Sequence, residues 1–338
     1  MNNVLFAFYD LKVAPVSFDF STFLISAELY RRKTGCSKLH VLIVPGPAGG
    51  FRKNYSKEAN EQGIENLKWR LRNIVIPCGW LLPACQGVTV CISREEAETI
   101  HRKFARRVYP KDYTVANPQK RPHIAVHIVR ALSEGTEMPS FEATPMALYY
   151  VRQWIQTHVG ERKVVTITLR EASYRPLRNS SLRDWSLFAK SLDPSRHCPV
   201  FIRDNEKAFD PVPPELKDFL FFREVVWNLE LRSALYELSH LNLLVNNGPI
   251  GLCIYSSRIR YLIFKMVTNG DTALSLDSYR SSSEEYFEKR VGISVGGQWP
   301  AATPFQKFIW EDDNLEVIQR EFKAMCGKIE SPKAGLTS

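Results

Sequence analysis

Motifs that identify several large enzyme classes are missing from this 338-residue sequence. No GxGxxG follows the first predicted strand and no GxxxxGK[ST] occurs, which excludes a dinucleotide fingerprint and a P-loop nucleotide hydrolase. No HExxH occurs, which argues against a zincin. Any chemistry must therefore be sought outside these standard motifs.

Cysteine is present but unpatterned, with seven residues and no CxxC pair. This predicts neither a zinc ribbon nor a disulfide framework, and favours a reduced compartment. The first residues lack a basic segment and reach Asp10 early, so we predict no signal peptide and a cytoplasmic location. The uncharged run 74–92 is interrupted by proline and glycine, which predicts two short strands around a loop. A loop that dips into a membrane surface is the alternative.

Positive charge is concentrated in the first half of the chain. The net charge is +8 over residues 1–160 and +1 over residues 161–338. This asymmetry predicts an anionic partner for the first half, or peripheral contact with the inner face of a membrane. The segment 101–113 is predicted to be a basic helix, but no RNA- or DNA-binding signature accompanies it, so no specific nucleic-acid partner is expected.

Hydrophobic periodicity predicts an α/β protein built from repeated strand–helix–strand units. We predict two Rossmann-like, doubly wound domains facing across a cleft, over residues 1–145 and 146–326, with a closing helix in the second. The tail 327–338 is predicted to be disordered. Within the first domain, residues 73–77 are predicted to form a strand and 94–108 a helix, while 121–137 fits either.

Three arginines follow a strongly predicted strand of the second domain. Arg170 and Glu171 stand at its carboxyl end, and Arg175 and Arg178 follow within nine residues. Arginine binds phosphate through two parallel hydrogen bonds, so this cluster is a candidate phosphate site. A solvated loop with arginine–glutamate pairing is the alternative.

Two further strands of the second domain end in polar residues. One runs into Asn246, Asn247, Gly248 and Pro249, a turn that opens a helix and offers free amide groups to an anion. The other ends near Asp204, where a carboxylate can hold a nucleotide. Each can also be an ordinary polar turn.

Acidic residues of the first domain are candidates for a general base. Asp10 follows the first strand, and Glu28 and Asp19 are its rivals. The segment 296–313 is a polar and aromatic connector between the sheet and the closing helix. Its residues Gln298, Trp299 and Thr303 are candidate sugar contacts. A packed linker is the alternative reading of that connector.

Three of these segments resemble motifs of GT-B-type glycosyltransferases. The segment 9–15 (YDLKVAP) resembles the Gly-Asp-x-x-x-x-x-Pro segment of bacterial heptosyltransferases, and 245–253 (VNNGPIGLC) resembles their phosphate-receiving turn. The arginine cluster is similar to the arginine-bearing strand end of fucosyltransferase-like enzymes.

The resemblance implies metal-independent, inverting transfer from a nucleotide-sugar donor, without a cofactor. It carries the base role to Asp10 and donor binding to the second domain. The basic first domain would then hold an anionic, glycan or lipid-linked acceptor. The absence of DxD is in keeping with a metal-independent donor site.

Two other functions fit the same pattern. A nucleotide-sugar 2-epimerase has this architecture and needs no acceptor. A non-catalytic protein could bind an anionic partner through its basic first domain, or bind a donor without turning it over. Fold alone does not decide between these activities.

Overall fold

The computed structural model describes residues 3–53, 63–120, 124–173, 175–268 and 287–331. The chain divides into two compact units, Met1–Thr144 and Pro145–Ser338. Each contains one parallel sheet, and the predicted α/β class is confirmed.

The first unit contains four parallel strands in the order β3-β2-β1-β4. Strands β1 and β2 are mostly buried apolar runs, as expected for a parallel sheet covered on its faces. Asp10 pairs in register with Val44, so β1 and β2 end at the same level. The four strands are β1 Val4–Asp10, β2 Lys38–Val44, β3 Cys85–Val90 and β4 Val108–Tyr109.

Four helices in the described part of the first unit exceed one turn: α1 Asp19–Lys33, α2 Gly63–Arg70, α3 Arg94–Phe104 and α4 Val126–Ser133. Helix α4 settles the ambiguity of residues 121–137 in favour of helix for its described part. Helix α3 ends at Phe104 and the chain then turns into β4. The helix predicted over 94–108 is therefore confirmed as far as Phe104, and the basic helix predicted over 101–113 is wrong beyond that residue.

Residues 73–77 are also helical, which corrects the predicted strand. Helix α2 continues through a π-helical turn, Leu71–Val75, and a short α-helical turn, Ile76–Cys78. Its buried side chains are Leu67, Ile74, Val75 and Cys78, which recur at helical spacing. Packing of this stripe outweighs the preference of isoleucine and valine for strands.

The second unit contains six parallel strands in the order β10-β9-β8-β5-β6-β7. Numbered within the unit, this is the 3-2-1-4-5-6 order of the Rossmann fold. The strands are β5 Lys163–Thr168, β6 His197–Ile202, β7 Leu220–Phe221, β8 Leu241–Val245, β9 Tyr261–Phe264 and β10 Gln306–Phe308.

The helices of the second unit are α5 Pro145–His158, α6 Leu182–Ser191, α7 Leu229–Leu238, α8 Ile250–Ile254 and α9 Leu315–Ile329. Helix α9 packs on α6 and on the apolar core around Trp185 and Phe188. The predicted disordered tail is wrong at its start, because α9 continues to Ile329. Residues 332–338 lie outside the described residues.

Short 3-10 and π segments connect the larger elements: Gly79–Leu81, Ala105–Arg107, Pro176–Arg178, Asn205–Lys207, Pro214–Leu216, Glu224–Val226 and Phe287–Val291. Among the described residues, no helix is both long and apolar enough to cross a membrane.

Candidate functional site

The strand order of the second unit creates a topological switch point between β5 and β8. The chain winds outward from β5 in one direction and from β8 in the other. In open parallel sheets, ligands bind outside the carboxyl ends of the strands that flank this point. The arginine cluster follows β5 and the Asn-Gly-Pro turn follows β8, so both predicted motifs lie at the switch point.

The loop after β5 is held by Arg170, which is 6% exposed. Its guanidinium donates to the carbonyl of Arg175 at 2.9 Å and to the side chain of Asn179. Its backbone N–H donates to Ser180 Oγ. Arg170 therefore points into its own loop, where it positions Arg175 and the residues that follow.

Glu171 and Arg203 form a buried ion pair at the carboxyl ends of β5 and β6. The pair is bidentate, with N–O distances of 2.6 and 3.0 Å, and both side chains are less than a tenth exposed. Arg203 also donates to the carbonyls of Asp210 and Pro211. The charge of Glu171 is thus neutralised inside the unit.

The Asp204 carboxylate also connects the segments that follow β5 and β6. It accepts hydrogen bonds from the backbone N–H groups of Glu171 and Glu206. Burial raises the pKa of Asp204 above its usual range. Asp204 therefore fixes the start of the loop after β5.

Arg178 joins the two sides of the switch point. It lies on the 3-10 turn Pro176–Arg178 and donates from Nη2 to the carbonyl of Asn246 at 2.8 Å. The Asn246 side chain in turn donates to the carbonyl of Met266. Arg178 is half-buried, and this bond uses one of the five N–H groups of its guanidinium.

Asn247 supplies an acceptor that the protein itself does not satisfy. Its Oδ1 is buried and has no hydrogen-bond partner among the described residues. The next residues, Gly248 and Pro249, lead into the short helix α8. A hydroxyl or amine donor placed at Asn247 would satisfy this oxygen, which otherwise carries a desolvation penalty.

Lys265 and Asp313 also lie at the carboxyl edge of the second sheet, and the sequence analysis did not single out either residue. Lys265 follows β9 with a left-handed φ of 56° and pairs with Asp313 at 3.1 Å. Asp313 is 2% exposed and also accepts from the Ser181 backbone and the Trp185 indole. The sequence signal was a lysine directly after a buried apolar strand.

The predicted sugar contacts have structural roles beside the edge strand β10. The Gln298 amide pairs with both backbone groups of Phe308. Trp299 is buried edge-on against Tyr255. Thr303 lies in the turn before β10, at the amino end of the strand, and its backbone N–H donates to Gln306. The contacts described for all three residues lie beside this edge strand, and their role as sugar contacts stays a prediction.

The first unit has a corresponding switch point between β1 and β4, and Asp10 fills it. Asp10 is 1% exposed and forms a bidentate ion pair with Arg94, with both N–O distances 2.8 Å. It also accepts from the hydroxyl of Tyr113 and the backbone N–H of Lys12. Four donors occupy the two carboxylate oxygens, so Asp10 is held as a structural anchor.

Glu28 lies at the other end of the first sheet. Its carboxylate is 2% exposed and is paired with Arg31 and Arg32. Arg31 also donates to the carbonyl of Cys36, just before β2 begins. Glu28 therefore lies near the amino ends of the strands and is not a suitable base for a site at their carboxyl ends.

Asp19 is the exposed acidic residue at the start of α1. Its Oδ2 accepts from Ser17 Oγ at 2.7 Å. Since β1 ends at Asp10 and α1 begins at Asp19, the connecting loop and this carboxylate lie at the carboxyl edge of the first sheet.

Comparison with solved structures identifies the architecture. E. coli ADP-heptose LPS heptosyltransferase II superposes with a TM-score of 0.56 and 10% identity, over 98% of this chain and 100% of that chain. The chain has the GT-B fold. This confirms, at the level of fold, the resemblance drawn from the sequence.

Two more solved structures match with lower scores. A glycosyl transferase family 9 protein from Veillonella parvula matches with TM-score 0.43 and 11% identity, over 78% of this chain and 80% of that chain. E. coli heptosyltransferase WaaC with ADP-2-deoxy-2-fluoro heptose matches with TM-score 0.40 and 10% identity, over 95% and 99%. No protein-family model matches the sequence, and the search of curated proteins finds no match.

Proposed function

We propose that this protein is a glycosyltransferase that moves a sugar from a nucleotide-sugar donor to an acceptor hydroxyl. The observation that carries this proposal is the switch point of the second unit. There Arg178 and the Asn-Gly-Pro turn meet in a GT-B fold. Nucleotides bind at this position in open parallel sheets.

Arg178 is the proposed ligand of the donor diphosphate. Its guanidinium keeps N–H groups for a phosphate beyond the one bonded to Asn246. Arg175, exposed on the same loop and positioned by Arg170, adds a second cation. Two guanidinium groups can neutralise a diphosphate, so the proposed donor site needs no metal ion.

Asn247 is the proposed contact of a donor hydroxyl. Its buried Oδ1 lacks a donor, which a ribose or sugar hydroxyl would supply. The adjacent Gly248 has no side chain to keep a phosphate or sugar from the backbone. These features support a sugar nucleotide over a simple anion, because both a hydroxyl and a phosphate are matched.

The proposed reaction is a single displacement with inversion. The acceptor oxygen attacks the anomeric carbon and loses its proton to a base. The bond from that carbon to the phosphate oxygen breaks, and its electron pair leaves with the nucleoside diphosphate. Arg178 and Arg175 stabilise the negative charge that develops on this leaving group.

We assign the base to Asp19 and a structural role to Asp10. The oxygens of Asp10 are occupied by four donors, whereas Asp19 is exposed and accepts only from Ser17 among the contacts described. A base must have a free oxygen within reach of the acceptor proton. The first unit is also proposed to bind the acceptor, and its excess of positive charge favours an anionic or lipid-linked one, met by peripheral membrane contact.

A donor screen tests the proposal. The full chain is heated with UDP, GDP, ADP, CMP and their common sugar conjugates, with and without EDTA. A ligand at 100 times its Kd adds about 2.7 kcal/mol of stability, which is easily seen as a shift in Tm. We expect one nucleotide family to stabilise the protein equally with and without EDTA, and its sugar conjugate to release nucleoside diphosphate when an acceptor extract is added.

The base assignment is tested in the same release assay. Asp19→Asn is expected to lower kcat by about 10²–10⁴-fold and to leave donor affinity unchanged. The matched control is Glu95→Gln, an exposed acid in the first turn of α3, which should release nucleotide at the normal rate. Equal rates for both variants would remove Asp19 from the mechanism.

Other results would reject the transferase itself. Conversion of a nucleotide sugar to its epimer without any acceptor would favour an epimerase. No Tm shift with any nucleotide would remove the donor site, and a partner that binds the first unit with steeply salt-dependent affinity would then favour a binding protein.

A further inference from the structure

Three metal-ligating side chains meet at the opposite end of the second sheet from Arg178. They are His197, His240 and Cys326, whose ligand atoms all lie within 4.8 Å of one another. His197 begins β6 and His240 directly precedes β8, so both lie at the amino ends of their strands. Cys326 reaches them from α9.

The imidazole of His197 makes no hydrogen bond to the described residues. It is 8% exposed, and neither Nδ1 nor Nε2 has a hydrogen-bond partner among the described residues. Buried polar atoms are nearly always paired, because an unpaired one keeps the cost of losing water. The ring instead lies beside Phe322 and His240, with centroid distances of 5.6 and 6.1 Å. This unpartnered imidazole points to a missing ligand.

We propose that His197, His240 and Cys326 bind one zinc ion, with the fourth position open to solvent. Two imidazoles and a thiolate are ligands that zinc prefers, whereas magnesium and calcium require oxygen ligands. The proposal does not depend on glycosyl transfer.

The distances suit a tetrahedral ion. Zinc bonds of about 2.0–2.3 Å place neighbouring ligand atoms roughly 3.3–3.8 Å apart. Cys326 Sγ and His240 Nε2 are already 3.7 Å apart. The other two separations need to close by at most about 1.5 Å to reach that range, which side-chain rotation can supply. His240 and Cys326 are partly exposed, so an ion can enter from solvent.

The protonation states of the two histidines favour metal binding, whereas that of the cysteine opposes it. Burial lowers the pKa of His197, and lowers that of His240 to about 4, so both rings are neutral at pH 7 and ready to bind. Burial raises the pKa of the Cys326 thiol to about 11, so the ion must displace its proton.

The neighbouring charges set a limit on affinity. Lys163 and Arg196 lie close to the cluster and are both paired with Glu330, while Arg260 adds a further positive charge near His240. The thiolate offsets one of the ion's two charges, and Glu330 offsets part of the rest. The bound ion would tie α9 to the amino ends of β6 and β8.

Cobalt and zinc titrations of the full chain test the site. The chain is first stripped with EDTA and desalted. We expect one Co²⁺ per chain, with a sulfur-to-cobalt charge-transfer band and the strong visible bands of a tetrahedral ion. Zinc should displace the cobalt and raise the Tm.

Cysteine variants make the test specific. Cys326→Ser should lose the charge-transfer band and bind Co²⁺ roughly 100-fold more weakly. The matched control is Cys85→Ser, which changes a half-buried cysteine of the first unit and should bind as the unchanged protein does. If Cys326→Ser lowers the metal-free Tm, His240→Gln provides a second variant, which should keep the sulfur band and lose affinity.

The proposal would be overturned by a charge-transfer band that persists in Cys326→Ser, or by cobalt binding without any such band. It would also be overturned if excess Co²⁺ or Zn²⁺ did not bind at pH 8. Absence of binding would show that the three side chains form a packed cluster, with water satisfying His197, and either of the other two results would show that cobalt binds through other ligands.

Discussion

The two switch points share one topology but differ in what fills them. In the first unit, Asp10 is saturated by Arg94, Tyr113 and the Lys12 backbone. In the second unit, Arg178 makes one bond to a carbonyl, and Asn247 Oδ1 has no partner among the described residues. The polar groups at the first switch point are therefore paired within the protein, whereas the second has hydrogen-bond donors and acceptors available to a ligand.

This difference separates stability from binding. A buried carboxylate with four donors gains its stability from contacts within the unit, and losing one partner leaves an uncompensated charge. A cation and an unpaired amide at a strand end gain most when a ligand supplies the missing groups. We therefore expect mutations at the first switch point to change folding, and mutations at the second to change donor affinity.

The largest effect is expected for Arg94→Ala. The change leaves the Asp10 carboxylate buried without its cation, which costs about 3–5 kcal/mol in the free energy of unfolding. Urea denaturation followed by tryptophan fluorescence measures it. The control is Arg102→Ala on the same helix, an exposed residue 3.9 Å from Glu98, which should cost less than about 0.5 kcal/mol. A similar, small loss in both variants would contradict the structural role of Asp10.

Unlike Arg94→Ala, Arg178→Ala should weaken donor binding and leave stability nearly unchanged. Loss of a charge-assisted hydrogen bond to phosphate costs about 1.5–3 kcal/mol, or roughly a 10–100-fold weaker donor affinity. Stability should change by less than about 1 kcal/mol, since one bond to a backbone carbonyl is lost. Isothermal titration with the donor found by the screen measures the affinity. Arg183→Ala, an exposed arginine on α6, should bind normally; an equal loss there would point to a general charge effect.

Much of this organisation could be predicted from the sequence. Buried apolar runs and helical periodicity located β1, β5 and β8, because parallel strands are continuous hydrophobic segments. They did not locate β4, which lies in a segment predicted to be helical. The same reasoning placed Arg178 and Asn247 after strands of the second domain, and the structure shows that these strands are neighbours. The reasoning failed at residues 73–77, where β-branched residues lie in a helix. The buried stripe of this helix can be recognised only from its packing in the structure.

The roles of individual side chains were much harder to predict. Arg170 and Arg178 look equivalent in the sequence, yet one holds its own loop and the other faces the neighbouring strand end. The partners of Asp10 lie 84 and 103 residues away, so no local pattern reveals that its oxygens are occupied. His197, His240 and Cys326 are also dispersed, which is why no metal-binding motif was found.

Tyr113→Phe tests the first switch point with a smaller change. Removing its hydroxyl takes one donor from Asp10 and should cost about 1–2 kcal/mol. Burial and the nearby Asp10 charge raise the pKa of Tyr113 well above its usual value near 10. The folded protein therefore keeps the phenol protonated above pH 10 while the unfolded chain ionises, so stability falls as the pH rises.

Urea midpoints at pH 8 and pH 10.5 measure this effect. The unchanged protein should lose more stability over that interval than Tyr113→Phe does. Equal losses would show that Tyr113 ionises normally in the folded protein, and that its bond to Asp10 is not maintained.

The smallest effect is expected for Asn247→Ala. The variant removes an unpaired buried oxygen, so the stability of the free protein should be unchanged or slightly higher. Donor affinity should fall by about 0.5–1.5 kcal/mol, roughly 2–12-fold. Titration calorimetry and a melting curve measure the two quantities. A clear loss of stability without a change in affinity would show that Asn247 has a structural partner.

The most direct measurement is amide hydrogen exchange with and without the nucleoside diphosphate chosen by the screen. It reports both switch points in one experiment, so each serves as the control for the other. We predict slower exchange at residues 169–180 and 245–252, with no change at residues 94–113. Protection confined to residues 94–113, or no protection at residues 169–180 and 245–252 despite saturating nucleotide, would contradict a donor site at the second switch point.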